Sequence, residues 1–353
     1  MSRTRTAGLV GGLAGLVAVG AAAGLTAERY AVGRARLAPD PDRDQLFFSL
    51  AADRTRVIHA DDGVPLHVEE VGPADAELTV VFCHGYTQQL AVWHYQRQAL
   101  AAEGLGRLVF WDQRSHGRSG RSSSEHCTVD QLGRALQAVL TALAPAGRVV
   151  LVGHSMGGMT LMALADQRPD LFGSLVTGVA LMSTSTGRMA ELTFGLPSMV
   201  SPVSRRLLPW LTRGMAGRPE LFERGRRLGT DLAFVAARRG AFGDTDVSPS
   251  VVEFVETMTA QCPVEVIAAF YGTFVDHDKL AALDVLRTVE TLVLVGTNDR
   301  ITPVGHSRTM AQALPDAVVV EVEGAGHMVQ LERPALVTLQ LQALLRRSSR
   351  ARR

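Results

Sequence analysis

Val149-Val150-Leu151-Val152-Gly153-His154-Ser155-Met156-Gly157-Gly158 is the stretch that decides the fold of this chain. Four aliphatic residues in a row read as a strand buried on both faces, and helical spacing of apolar residues follows directly over 158–167. Between strand and helix stands a GxSxG turn. A serine hydroxyl held at the tip of such a turn needs strained backbone, and side chains two residues to either side would collide there. Glycines at 153 and 157 remove that collision. A helix starting just behind Ser155 aims free N–H groups at the place where an oxyanion would form. The residues therefore nominate Ser155 as a nucleophile.

Outward from this stretch the same alternation repeats. Residues 64–71 alternate as a strand does, and 78–83, 108–111 and 175–182 are short apolar runs. Helical periodicity marks 130–143. From 184 to 284 strand punctuation stops, and ten arginines fall between Arg188 and Arg239. This stretch reads as an inserted helical cap. Strands resume at 291–295 and 317–322, with helices expected over 303–314 and 334–345. Strands alternating with helices on both sides of an insertion predict an α/β fold, a mostly parallel sheet flanked by helices. The core is then 56–183 plus 285–347. Residues 39–55, polar and containing Pro39 and Pro41, read as a linker, and 348–353 as a basic tail.

A serine hydroxyl is barely ionised at neutral pH and needs a base. His327 follows Gly324-Ala325-Gly326 in the loop after the last strand, and the glycines suit a loop that must reach a site. An imidazole in that role needs an acid to fix its tautomer. Asp299 stands in Gly296-Thr297-Asn298-Asp299-Arg300, just past the 291–295 strand. All three residues fall at carboxyl ends of strands, where open α/β sheets carry their sites.

The order Ser155, Asp299, His327, on those turns, resembles the α/β-hydrolase fold family over roughly residues 56–345, and within it lipase- or esterase-like serine hydrolases of actinobacteria. Phe82-Cys83-His84-Gly85-Tyr86 matches the family's oxyanion loop, so the resemblance implies that the backbone N–H groups of Tyr86 and Met156 hold the oxyanion. Asp112-Gln113-Arg114-Ser115-His116-Gly117-Arg118-Ser119 matches another family loop, departing at Ser115, where glycine is usual. Some members carry the acid after the preceding strand, which makes Asp278 the alternative to Asp299. His154 reads as turn packing, His84 as a brace for the oxyanion loop and His277 as a surface or loop residue. The implied activity is cleavage of a carboxylic ester, of a small molecule or a lipid, through an acyl-serine intermediate and without a cofactor. The same residues also serve cofactor-free perhydrolysis of the haloperoxidase type and thioester or carbon–carbon cleavage. A non-enzymatic binding protein of this fold is the third reading. Epoxide hydrolases and haloalkane dehalogenases resemble this chain but carry Asp where Ser155 stands.

Composition narrows the field. Of 353 residues, 46 % are hydrophobic and 20 % charged, which excludes disorder as the main state. Basic and acidic residues number 36 and 35, a net charge of +1, and this argues against nucleic-acid binding. Three scattered cysteines, Cys83, Cys127 and Cys262, form neither a disulfide framework nor a zinc motif. No HExxH, GxxxxGK[ST] or strand-linked GxGxxG occurs, so no metal or nucleotide is implied. Residues 7–27 carry no charge and no proline and, as a helix, would be about 30 Å long, the thickness of a bilayer core. Residues 1–38 are therefore expected to place the protein at a membrane as a signal anchor, or to direct its export to the cell envelope if cleaved near Ala21-Ala22-Ala23.

Overall fold

The apolar runs pair side by side into one eight-stranded sheet. The computed structural model describes residues 38–144, 146–187, 238–243 and 247–350. The strands are β1 (Arg54–His59), β2 (Pro65–Val71), β3 (Leu78–Cys83), β4 (Arg107–Trp111), β5 (Arg148–His154), β6 (Val176–Met182), β7 (Glu290–Gly296) and β8 (Val318–Val322). The helices used below are α1 (His94–Glu103), α2 (Val129–Leu143), α3 (Met156–Gln167), α4 (Pro249–Gln261), α5 (Val264–Val275), α6 (Leu283–Leu286), α7 (Val304–Ala313), α8 (Val329–Glu332) and α9 (Pro334–Arg350). Strand order is β1-β2-β4-β3-β5-β6-β7-β8. The β1–β2 and β2–β4 pairs are antiparallel, and all others are parallel.

Side-chain alternation divides the core into two layers. Val81, Val109, Leu151, Val179 and Val293 face one way and pack with Leu132 and Leu136 of α2 and Leu161 of α3. Val80, Phe82, Phe110, Val152 and Leu294 face the other way and pack with Leu100 of α1 and Leu341 and Leu344 of α9. With both faces covered, the central strands can be apolar at every position, and β3 and β4 are buried throughout.

Three features depart from the sequence expectation. The segment read as a linker packs on the core: the Phe47 ring stacks on Phe254 of α4, Asp42 accepts a hydrogen bond from Tyr95 of α1, and Arg97 donates to the Ala51 carbonyl. Its last residues begin β1, whose charged sequence hid it. Arg54 and Arg56 there pair with the fully buried Glu70 of β2. Helix α9 runs to Arg350 because Ser348 is buried against Gly178, where a β-carbon would leave it no room.

The expected membrane placement is corrected. Among the described residues no helix is long and apolar enough to cross a bilayer. Residues 7–27, which carried that expectation, lie outside the described residues, as do 188–237 and 244–246 of the insertion.

Candidate active site

The β5–α3 turn has the geometry that its glycines allow. Ser155 sits at φ +54° and ψ −118°, a sparsely populated conformation of the kind that costs roughly 1–3 kcal/mol. Its backbone N–H donates to the Met182 carbonyl at 2.9 Å, and its own carbonyl accepts from the Thr184 hydroxyl at 2.7 Å. A β-carbon at Gly153 would stand 2.6 Å from the Gly157 backbone, one at Gly158 2.6 Å from the Thr184 side chain, and one at Gly157 inside the Cys83 carbonyl. The elbow is thus wedged between β3 and β6, and glycine alone fits.

The loop after β3 comes to the same place. Its brace is His84, fully buried, whose Nδ1 donates to the Gly85 carbonyl at 2.7 Å while Nε2 accepts from the Gln113 N–H at 2.9 Å. These two bonds fix a neutral tautomer, and burial, helped by neighbouring His116 and His154, pushes its pKa down to about 3. The Gln113 side chain continues the brace to the His84 carbonyl and to Thr160 of α3. Among the described residues, neither the Tyr86 N–H nor the Met156 N–H donates to a protein group. The Tyr86 phenol donates to the Ile267 carbonyl in α5, and its ring meets Phe274 edge-on, which seats this loop against the inserted region.

Asp299 and His327 meet across the ends of β7 and β8. The His327 Nδ1 lies 2.9 Å from Asp299 Oδ2. The N–H groups of Ile301 and Thr302 both donate to Asp299 Oδ1 at 2.8 Å, and the Thr302 hydroxyl donates to Oδ2 at 2.9 Å. Burial pushes the Asp299 carboxyl up, but the His327 ring and the two N–H donors outweigh it and hold the group below its usual value. Asp278, the alternative acid, is exposed, with the Leu280 N–H 3.5 Å from its carboxylate. Its neighbour His277 is buried rather than on the surface, with Nε2 donating to the Ser185 carbonyl at 3.0 Å.

Ser155 is linked to the Asp299–His327 pair through its neighbour. The His154 Nε2 donates to the His327 carbonyl at 2.8 Å, while burial, aided by the neighbouring His327 ring, pushes its own pKa down to about 3. No hydrogen bond joins the Ser155 hydroxyl to the His327 ring in this structure, a looseness common before substrate arrives. Ser155, Asp299 and His327 retain 9 %, 5 % and 4 % of their surface, so charge developing among them would be poorly screened by water.

The second family loop explains its own departure. Ser115 adopts φ +65°, the left-handed region that glycine takes without strain, and its hydroxyl accepts from the Ser122 N–H at 2.9 Å. The Asp112 carboxylate in this loop is fully buried and accepts from the N–H groups of Leu90 and Arg118. Four supporting residues escaped the sequence reading: Gln88, Gln113, Thr302 and Glu332. Thr302 had a signal, since an Asp followed three residues later by Thr is a turn that hydrogen-bonds itself. Glu332 had a fainter one, the single acidic residue between His327 and Pro334.

Comparison with known proteins agrees with this architecture. The profile of the alpha/beta hydrolase fold matches residues 79–334, and the chain belongs to that family. It is 28 % identical, over 76 % of its length and 63 % of the relative's, to the dihydrolipoyllysine-residue acetyltransferase component of the acetoin cleaving system of Pseudomonas putida. An epoxide hydrolase of Caballeronia sordidicola is 35 % identical over 32 % of this chain and 33 % of that one. The chain therefore spans less than two thirds of either relative's length. A thermophilic esterase of Thermogutta terrifontis shares the fold with a TM-score of 0.63, 24 % identity, 84 % coverage of this chain and 99 % of that one. The chain therefore carries the alpha/beta hydrolase fold.

Proposed function

We propose that the protein is a serine hydrolase that cleaves a carboxylic ester of a small-molecule or lipid substrate through an acyl-Ser155 intermediate. His327 takes the Ser155 proton as the hydroxyl attacks the ester carbonyl, and then gives it to the leaving alcohol. It next takes a proton from water, whose oxygen attacks the acyl carbon, and returns that proton to Ser155 Oγ as the C–O bond breaks and the acid leaves. Asp299 keeps the Nδ1 proton in place and stabilises the imidazolium. The Tyr86 and Met156 N–H groups bind the oxyanion, and each such donor is worth about 3 kcal/mol in the transition state.

One observation carries the reading: a serine held at φ +54° on a strand-to-helix turn, whose neighbour His154 bonds the backbone of a histidine that has its Nδ1 2.9 Å from a buried carboxylate. Serine at the elbow favours ester cleavage over epoxide opening, because the family's epoxide-opening members carry Asp there. The test is a chain-length panel of esters run on the wild type and Ser155→Ala together. Turnover of at least one ester, abolished in a folded Ser155→Ala, supports the reading. Equal turnover by both proteins contradicts it.

A further inference from the structure

The loop that presents His327 is pinned at more points than Asp299 and His154 supply. Glu332, at the end of α8, is buried, and its carboxylate accepts from the Gly326 N–H at 2.9 and 3.0 Å through its two oxygens. The same carboxylate accepts from the Gly243 N–H at 2.9 Å. Gly243 lies inside the inserted region. That region also holds the next residue along, because the Met328 N–H donates to the Ala241 carbonyl at 3.0 Å. Gly243 and Gly326 approach so closely that a β-carbon on either would enter the other's backbone.

We propose that Glu332 is a positioning residue for His327, tying the loop of the catalytic base to the inserted region through two backbone N–H groups. This rests on the reading of His327 as the base. A carboxylate suits the task because it only accepts: it can face two N–H donors at once with nothing turned the wrong way. Glutamine keeps the size but offers one oxygen, and its NH₂ would confront one of the two donors, leaving a buried N–H unsatisfied. The loop then shifts, and a displacement of about 1 Å at a reacting group typically costs around 10²-fold in rate. Substrate binding, made elsewhere in the pocket, is left alone.

The experiment compares full-length wild type, Glu332→Gln, Glu332→Asp and Ser155→Ala on one short, water-soluble ester, with thermal melting to establish the folded state. Glu332→Gln is expected to lose roughly 10- to 100-fold in kcat with KM within about twofold, and to react with a fluorophosphonate more slowly by the same factor. Glu332→Asp, still an acceptor-only group, should recover part of the loss. A folded Glu332→Gln with wild-type kcat overturns the positioning role while leaving the serine mechanism standing. Activity surviving in Ser155→Ala removes the mechanism and the positioning role together. Should Glu332→Gln fail to fold, amide exchange decides: Gly326 and Gly243 exchanging slowly in the wild type and faster together in Glu332→Asp supports the tie, and fast exchange of either in the wild type overturns it.

Discussion

The proposed nucleophile, Ser155, and the proposed base, His327, are held in place by opposite means. At the β5–α3 elbow the constraint is steric: a side chain at Gly153 would strike the elbow's own backbone, one at Gly157 would strike β3 and one at Gly158 would strike Thr184, so the backbone is wedged. On the β7 and β8 side the constraint is chemical. Asp299 accepts from Ile301, Thr302 and His327, Glu332 accepts from Gly326 and Gly243, and His154 donates to the His327 carbonyl. A wedge fails all at once, whereas a hydrogen-bonded scaffold fails one bond at a time. The nucleophile must sit in a strained conformation that only a rigid turn preserves. The base must move protons in both directions, which tolerates small adjustment but not loss of the right tautomer.

Graded damage on the base side and abrupt damage at the elbow are therefore the signature to look for. The largest graded effect belongs to the acid. Asp299→Asn should lower kcat by about 10⁴-fold, as loss of a tautomer-fixing carboxylate typically does, while Asp278→Asn, on an exposed loop, should leave kcat within about twofold. Steady-state kinetics on both variants check this, and a crippled Asp278→Asn would move the acid to the other strand. Gly157→Ala should give the abrupt outcome. Its β-carbon enters the Cys83 carbonyl, so β3 and the elbow must separate, with a stability loss of roughly 3 kcal/mol or more and little activity left in any folded fraction. A mild, partly active Gly157→Ala would deny the wedge.

A single bond within the scaffold should matter less. Thr302→Val removes one hydroxyl donor from Asp299 Oδ2 at nearly constant shape, and a bond of that kind is worth about 1 kcal/mol. A kcat reduced about threefold to tenfold, with a melting temperature lowered by about 1 to 3 °C, is expected. A loss as large as that of Asp299→Asn would mean the scaffold is not additive.

Acidification probes the same side of the comparison through buried rings. His84 and His154 have pKa values near 3 and His116 near 4, all lowered first by burial, against 6.5 in the unfolded chain. Between those values the unfolded state binds protons that the folded state refuses. Stability contributed by these neutral rings is thus complete above pH 6.5 and is lost as pH falls toward 3 to 4. Melting temperature should fall steadily from pH 6.5 to 4, and a His154→Gln variant should fall less steeply than wild type. A flat wild-type profile would mean that these rings are already charged in the folded state.

The same contrast explains what could be read from sequence. Steric constraints write themselves locally: the elbow needs glycines at fixed offsets, and the buried strands need unbroken apolar runs, so 78–83 and 149–152 coincide with β3 and the middle of β5. Ser155, Asp299 and His327 could be nominated because each lies in a loop after a strand, β5, β7 and β8 respectively. The scaffold could not. Glu332 acts on Gly243, 89 residues away, and Gln88 reaches Gly85, His154 and Met328 at once, which no local pattern announces. Helix α1 was missed because its buried face includes His94, Gln96 and Arg97, polar residues satisfied only by tertiary partners such as Gln45, the Gln330 carbonyl and Glu69. Strand β1 was missed for a related reason, since Arg54 and Arg56 look like surface until Glu70 is placed between them.

The central claim is that Ser155 forms the covalent bond to substrate, and it can be tested at the level of the atom. The full-length protein is treated with a fluorophosphonate, digested, and the adduct located by mass spectrometry, with Ser155→Ala treated in parallel. The account predicts one adduct per chain, on the peptide containing Ser155, and none in the folded alanine variant. An adduct on another residue, or labelling that persists in Ser155→Ala, would contradict it.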